Sequence, residues 1–104
     1  MCNFNHFGVP VSEKQDNETY FEDIKVYATD PQDSPYKVEY LRFKPDSPMH
    51  KDIINHPHVS FEVDDLKAAI EGKNVIVEPF QVAENLQIAF INEKGAIIEL
   101  MQTK

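Results

Sequence analysis

The sequence predicts an α+β domain built from two strand-rich halves. Three observations predict it: a stretch with period-two alternation, a capped short helix directly after it, and a His and a Glu at corresponding places in each half. His58-Val59-Ser60-Phe61-Glu62-Val63 puts Val59, Phe61 and Val63 on one face, as a strand with one side in a core requires. Asp64 or Asp65 then offers an N-cap for Leu66-Lys67-Ala68-Ala69-Ile70-Glu71, and Gly72 is placed to end the helix. Leu66, Ala69 and Ile70 form its buried stripe. Apolar runs at 74–78, 86–92 and 96–101 follow, separated by Pro79-Phe80-Gln81 and Glu93-Lys94-Gly95. The second half therefore reads as βαβββ.

In the first half, strands are expected at Phe7-Gly8-Val9-Pro10-Val11, at Tyr20-Phe21, over 24–28 and over 36–43. Asp30-Pro31-Gln32-Asp33-Ser34-Pro35 supplies turn chemistry. Residues 12–18 carry no periodic apolar stripe, so a helix there would have nothing to bury, and a loop or single turn is expected. Each half thus has a histidine in its opening strand, His6 or His58, and a glutamate in its closing strand, Glu39 or Glu99. The spacing is 33 residues from position 6 to 39 and 41 from position 58 to 99. The eight-residue difference matches the helix that the first half lacks. We place the halves at 3–48 and 56–102, joined by a segment in which 49–55 forms a helical turn before Pro57 forces extension.

Length and charge narrow the function. At 104 residues the chain makes one domain, 1–104. With 41% hydrophobic and 11% aromatic residues it should fold. Eighteen acidic against ten basic residues give a net charge of −8, which repels phosphate backbones and anionic lipids. Nucleic acid and membranes are not expected partners. The single cysteine, Cys2, cannot form an intrachain disulfide, and no apolar run reaches the ~18 residues of a membrane span. The opening residues lack the basic and apolar regions of a secretion signal. A cytoplasmic protein is expected.

Strand alternation selects the side chains that can converge, because residues two apart share a face. If Val59, Phe61 and Val63 pack on the helix, His58, Ser60 and Glu62 face the other way. Glu99 shares its face with Ile97 and Met101. A carboxylate set among aliphatics calls for a partner, and a cation is the usual one. Glu39 sits likewise between Val38 and Tyr40. His6, Glu39, His58 and Glu99 form a donor set suited to a divalent ion: Zn, Ni, Fe, Co or Mn. Spacing alone leaves another reading open, since the four are dispersed and no compact motif joins them. His6 could be a solvated histidine, and both glutamates ordinary outward residues of half-exposed strands. His50 and His56 are expected at the surface, and Tyr20, Tyr27 and Tyr40 in strand packing.

Two segments, 58–66 (HVSFEVDDL) and 89–100 (AFINEKGAIIEL), resemble the second-module signature of the vicinal oxygen chelate superfamily. This superfamily includes glyoxalase I, methylmalonyl-CoA epimerase, extradiol dioxygenases and the fosfomycin- and bleomycin-resistance proteins. Residues 5–12 (NHFGVPVS) resemble its first strand, and 38–48 (VEYLRFKPDSP) its closing first-module strand. The resemblance implies two βαβββ-type modules, the first with its helix shortened or absent, forming a cupped mixed sheet. It implies a divalent metal held by His6, Glu39, His58 and Glu99, with substrate oxygens completing the coordination. The uncovered surface of the short first module invites a homodimer.

The preferred reading is a metal-dependent lyase or isomerase acting on a small carbonyl substrate through an enediolate. Glu39 or Glu99 would move the proton on the adjacent carbon. Lys37, Arg42, Lys44 and Lys51 are the only nearby cations, which disfavours a phosphate-bearing or CoA substrate. One alternative is a dioxygenase using His6, His58 and Glu99 as a facial triad, against which chain length speaks. Another, from a different class, is a metal-free antibiotic-binding or resistance protein, against which the four intact candidate ligands speak.

Overall fold

The computed structural model describes residues 2–103, and the chain divides into two compact units. One is residues 6–57; the other joins residues 58–103 to the first residues of the chain, up to Asn5. The strands are β1 (Cys2–Pro10), β2 (Thr19–Phe21), β3 (Val26–Ala28), β4 (Val38–Phe43), β5 (His58–Val63), β6 (Val75–Ala83), β7 (Leu86–Glu93) and β8 (Ala96–Thr103). The helices are α1 (Lys51–Asn55) and α2 (Leu66–Ile70). The chain is α+β with mixed sheet pairing, as its sequence predicts. Among the described residues, no helix is long and apolar enough to cross a membrane.

In the unit of residues 6–57 the strand order is β2-β3-β4-β1, with β1 parallel to β4 and the remaining pairs antiparallel. Lys25, at φ 49, turns the chain between β2 and β3, so β3 begins at Val26 and not at Ile24. Val26, Ala28 and Leu41 form a buried cluster on one face, with Ile24 and Phe43 packed against it. No helix covers the opposite face in residues 11–18. That face carries a stacked ladder. The Arg42 guanidinium lies 4.1 Å from the centre of the Tyr27 ring, Tyr27 packs on Tyr20 at 4.6 Å, and the Lys44 ammonium lies 5.6 Å from Tyr20. From the loop, Glu18 accepts two hydrogen bonds from Arg42, at 3.0 and 2.7 Å, and a third from the Gln15 amide. In α1, His50 caps the helix, its Nδ1 accepting from the Asp52 amide, and Ile53 is buried.

In the other unit the order is β1-β5-β8-β7-β6. Strands β5 and β8 are parallel, and the β6–β7 and β7–β8 pairs are antiparallel. Asp65 caps α2 by accepting from the Ala68 amide. Val63, Leu66, Ala89, Ile91 and Leu100 form the buried core beneath the helix, with Phe61, Ala69 and Ile70 against it. The β7–β8 turn uses Lys94 and Gly95, both at positive φ, the two-residue hairpin whose twist matches its strands. Pro79-Phe80-Gln81 does not separate two elements as its composition suggests. It lies inside β6, whose pairing with β7 shifts register there. β6 is the last strand in the order, and an irregular edge strand tolerates a proline because the missing N–H would not be used.

The registers locate the repeat's defect. Ala28 stands opposite Leu41, and Ile88 opposite Met101, each two residues past the closing glutamate. The chain from Ala28 to Glu39 is as long as that from Ile88 to Glu99. The whole eight-residue difference therefore falls between the opening histidine and the third strand of the unit, where only the second unit has a helix.

Two outcomes follow. Leu66 is 2% exposed at the centre of the core, so Leu66→Ala should lower unfolding free energy by about 2–5 kcal/mol in a denaturant titration. The hydrogen bonds from Arg42 outweigh burial and hold the Glu18 carboxyl at about 2, below its ordinary 4.5. The pair's stabilisation is thus complete above about pH 4.5 and is lost as pH falls through about 2. Thermal midpoints of the wild type and Glu18→Gln should be furthest apart near neutrality and converge at low pH.

Candidate functional site

Each unit builds the same local arrangement. β1 runs parallel to β4 with Gly8 opposite Glu39, and β5 runs parallel to β8 with Ser60 opposite Glu99. In both, the histidine is two residues before the one that faces the glutamate, so alternation puts all three on one side of the sheet. His6 Nε2 lies 3.3 Å from Glu39 Oε1, and His58 Nε2 lies 3.3 Å from Glu99 Oε1. The four predicted residues thus form two pairs with matching geometry, one in each unit. His56, expected at the surface, is exposed. His50 is partly exposed and caps α1.

The pairs differ in surroundings. His58 and Glu99 are both buried, and the His58 ring meets Phe90 edge-on at 5.2 Å. Phe90 is opposite Glu99 in the β7–β8 register, so an aromatic wall stands beside the carboxylate. His6 is buried too, but the Glu39 side chain is 23% exposed against 9% for Glu99. Beside the second pair, Ser60 is fully buried, and its Oγ has no hydrogen-bond partner among the described residues.

Both pairs fit a cation. Ligand atoms sit roughly 2.0–2.2 Å from a transition metal, so two on one ion, separated by about 90–110°, are about 3.0–3.5 Å apart. The 3.3 Å spacing in each pair lies in that range. It also exceeds the usual N–H···O hydrogen-bond length of about 2.9–3.0 Å. Imidazole and carboxylate together are borderline-to-hard donors that suit Zn, Ni, Fe, Co or Mn.

The nearby cations turn elsewhere. Arg42 pairs with Tyr27 in the register while its neighbour Leu41 lies in the buried cluster, so Arg42 is on the face away from Glu39. There it is held by Glu18 and the Tyr27 ring, and Lys44 lies over Tyr20. Lys37 and Lys51 are exposed.

No family model matches the chain, and no curated protein matches it. Solved structures do. A hypothetical protein from Bacillus halodurans aligns with a TM-score of 0.67 at 18% identity, over 99% of this chain and 95% of that one. Methylmalonyl-CoA epimerase from Mycobacterium tuberculosis aligns with a TM-score of 0.61 at 18% identity, over 98% of this chain and 88% of that one. These likenesses show the fold, which is the one implied by the resemblance to the vicinal oxygen chelate superfamily.

Sequence reading missed one residue of interest. Ser60 is visible in it only as a strand residue sharing a face with His58. Its place across from Glu99 depends on the β5–β8 register, which no local pattern specifies.

Proposed function

We propose that this chain is a metal-dependent isomerase or lyase acting on a small carbonyl substrate, with His6, Glu39, His58 and Glu99 as its divalent-metal ligands. The observation that carries this reading is the duplicated His–Glu pair, held at 3.3 Å in both units by the same strand register. A divalent ion so held supplies Lewis-acid polarisation of a substrate carbonyl. Glu39 takes the proton from the adjacent carbon and returns it, because its side chain is the more open of the two carboxylates. Glu99, enclosed beside Phe90, stays in place as a ligand with the two histidines. The fold-level likeness to an epimerase agrees, since inverting a centre beside a carbonyl proceeds through the same proton transfer. With Arg42 and Lys44 committed to the other face of their sheet, the substrate is read as small and without a phosphate tail.

Untagged protein should carry one transition-metal ion per chain. Removing a ligand by His6→Ala or His58→Ala should weaken binding more than the ~10–100-fold that changes around a ligand shell cost. Stoichiometric metal surviving in His58→Ala would refute the assignment. At free metal near 100 times its dissociation constant, the holoprotein should gain about 2.7 kcal/mol of unfolding free energy. Loaded protein in D₂O should exchange the proton next to the carbonyl in a panel of small 2-oxo and 2-hydroxy compounds, followed by NMR. Glu39→Gln should abolish that exchange and weaken metal binding.

The same reading includes a homodimer, supported by the exposed Phe21 and Tyr36 in the unit of residues 6–57. A monomer mass independent of concentration in sedimentation would rule the dimer out.

A further inference from the structure

We infer that Ser60 is a positioning residue that fixes Glu99 as the stationary carboxylate and leaves Glu39 as the mobile one; this rests on the metal reading above. The two units place their carboxylates by the same register, yet the residue facing each differs. Gly8 stands opposite Glu39, and Ser60 stands opposite Glu99. Both are buried. A serine hydroxyl at a fully enclosed position without a partner is unfavourable unless something else in the site uses it, since buried polar groups are otherwise hydrogen-bonded. Packing alone would be served as well by alanine, and at the corresponding place in the other unit glycine suffices.

The chemistry of a partner is restricted. A hydroxyl donates one proton, and the residue across the ladder from Ser60 on the same face is Glu99, whose ionised carboxylate only accepts. In the loaded site one Glu99 oxygen serves the ion, and the hydroxyl of Ser60 donates to the carboxylate and fixes its orientation. The residue facing Glu39, Gly8, has no side chain and supplies no such donor. Equal strand geometry thus gives two carboxylates with unequal freedom, one suited to holding and the other to moving a proton.

The test is a Co²⁺ titration of the metal-free chain, followed by the visible absorption of the bound ion. Ser60→Ala should weaken Co²⁺ binding by about tenfold, the lower end of the range for residues that orient a ligand, and alter the bound-ion spectrum. Its metal-free thermal midpoint should stay unchanged or rise, because a buried hydroxyl without a partner is removed. The same loss should appear in a Glu39→Gln background, as independence of the two carboxylates requires. Unaltered affinity and spectrum in Ser60→Ala overturn the inference, as does a loss that vanishes when Glu39 is Gln. A wild-type chain that takes up no Co²⁺ overturns the metal reading and this inference with it.

Discussion

The parallel pairing of an opening strand with a closing strand is the constraint on which each unit depends. Neighbouring parallel strands cannot be joined by a tight turn and need a crossover of a dozen or more residues. In each unit that crossover holds the two intermediate strands, which then continue the same sheet on the far side of the closing strand. The parallel register also fixes which residues can meet. With the histidine two positions before the residue that faces the glutamate, their backbones are offset by roughly 6.6 Å along the ladder. Two long side chains on one face can close that gap, and both pairs do so at 3.3 Å. A shift of one residue would send the carboxylate to the other face.

A second requirement follows from the missing helix. In the unit of residues 58–103, α2 covers the face opposite the His–Glu pair with Leu66, Ala69 and Ile70. In the unit of residues 6–57 the segment 11–18 forms no helix to cover the corresponding face, and a hydrophobic surface there would lack that cover. The sequence places Tyr20, Tyr27, Arg42 and Lys44 on it instead. Arginine suits this position because its planar guanidinium stacks on Tyr27 while its fork engages Glu18 in two parallel hydrogen bonds. The loop is thereby tied down without a helix. The same arrangement removes Arg42 and Lys44 from the face that carries Glu39, so a structural solution on one side of the sheet restricts the ligand chemistry available on the other.

Much of this was legible in the sequence, and the physical reasons are specific. Period-two alternation revealed β5, and Asp65 with Leu66, Ala69 and Ile70 revealed α2, because both are local patterns with caps or faces of their own. The four candidate residues could be named because a charged or titratable side chain among aliphatics is conspicuous. That His6 meets Glu39, and His58 meets Glu99, at one repeated distance was not legible, since register is set by contacts between strands far apart in the chain. Pro79 misled for the opposite reason. It is a strong local signal for a break, overridden because β6 lies at an edge and is already irregular. The cap formed by His50 was hidden because histidine is not among the residues whose short side chains usually cap a helix.

The repeat is exact in register and unequal in environment, and the inequality is the informative part. Were both units mere scaffolding for a symmetric metal site, similar burial of the two carboxylates would suffice. Instead Glu99 has an aromatic ring on one flank and a buried hydroxyl on the other, while Glu39 has glycine opposite it and a more open side chain. A carboxylate that must leave an ion to take a proton needs room and weak restraint. One that must hold the ion throughout needs the reverse, because its orientation fixes the coordination it offers. Duplicated strands give both carboxylates the same reach; in the proposed reading the residues facing them, Gly8 and Ser60, give them different tasks.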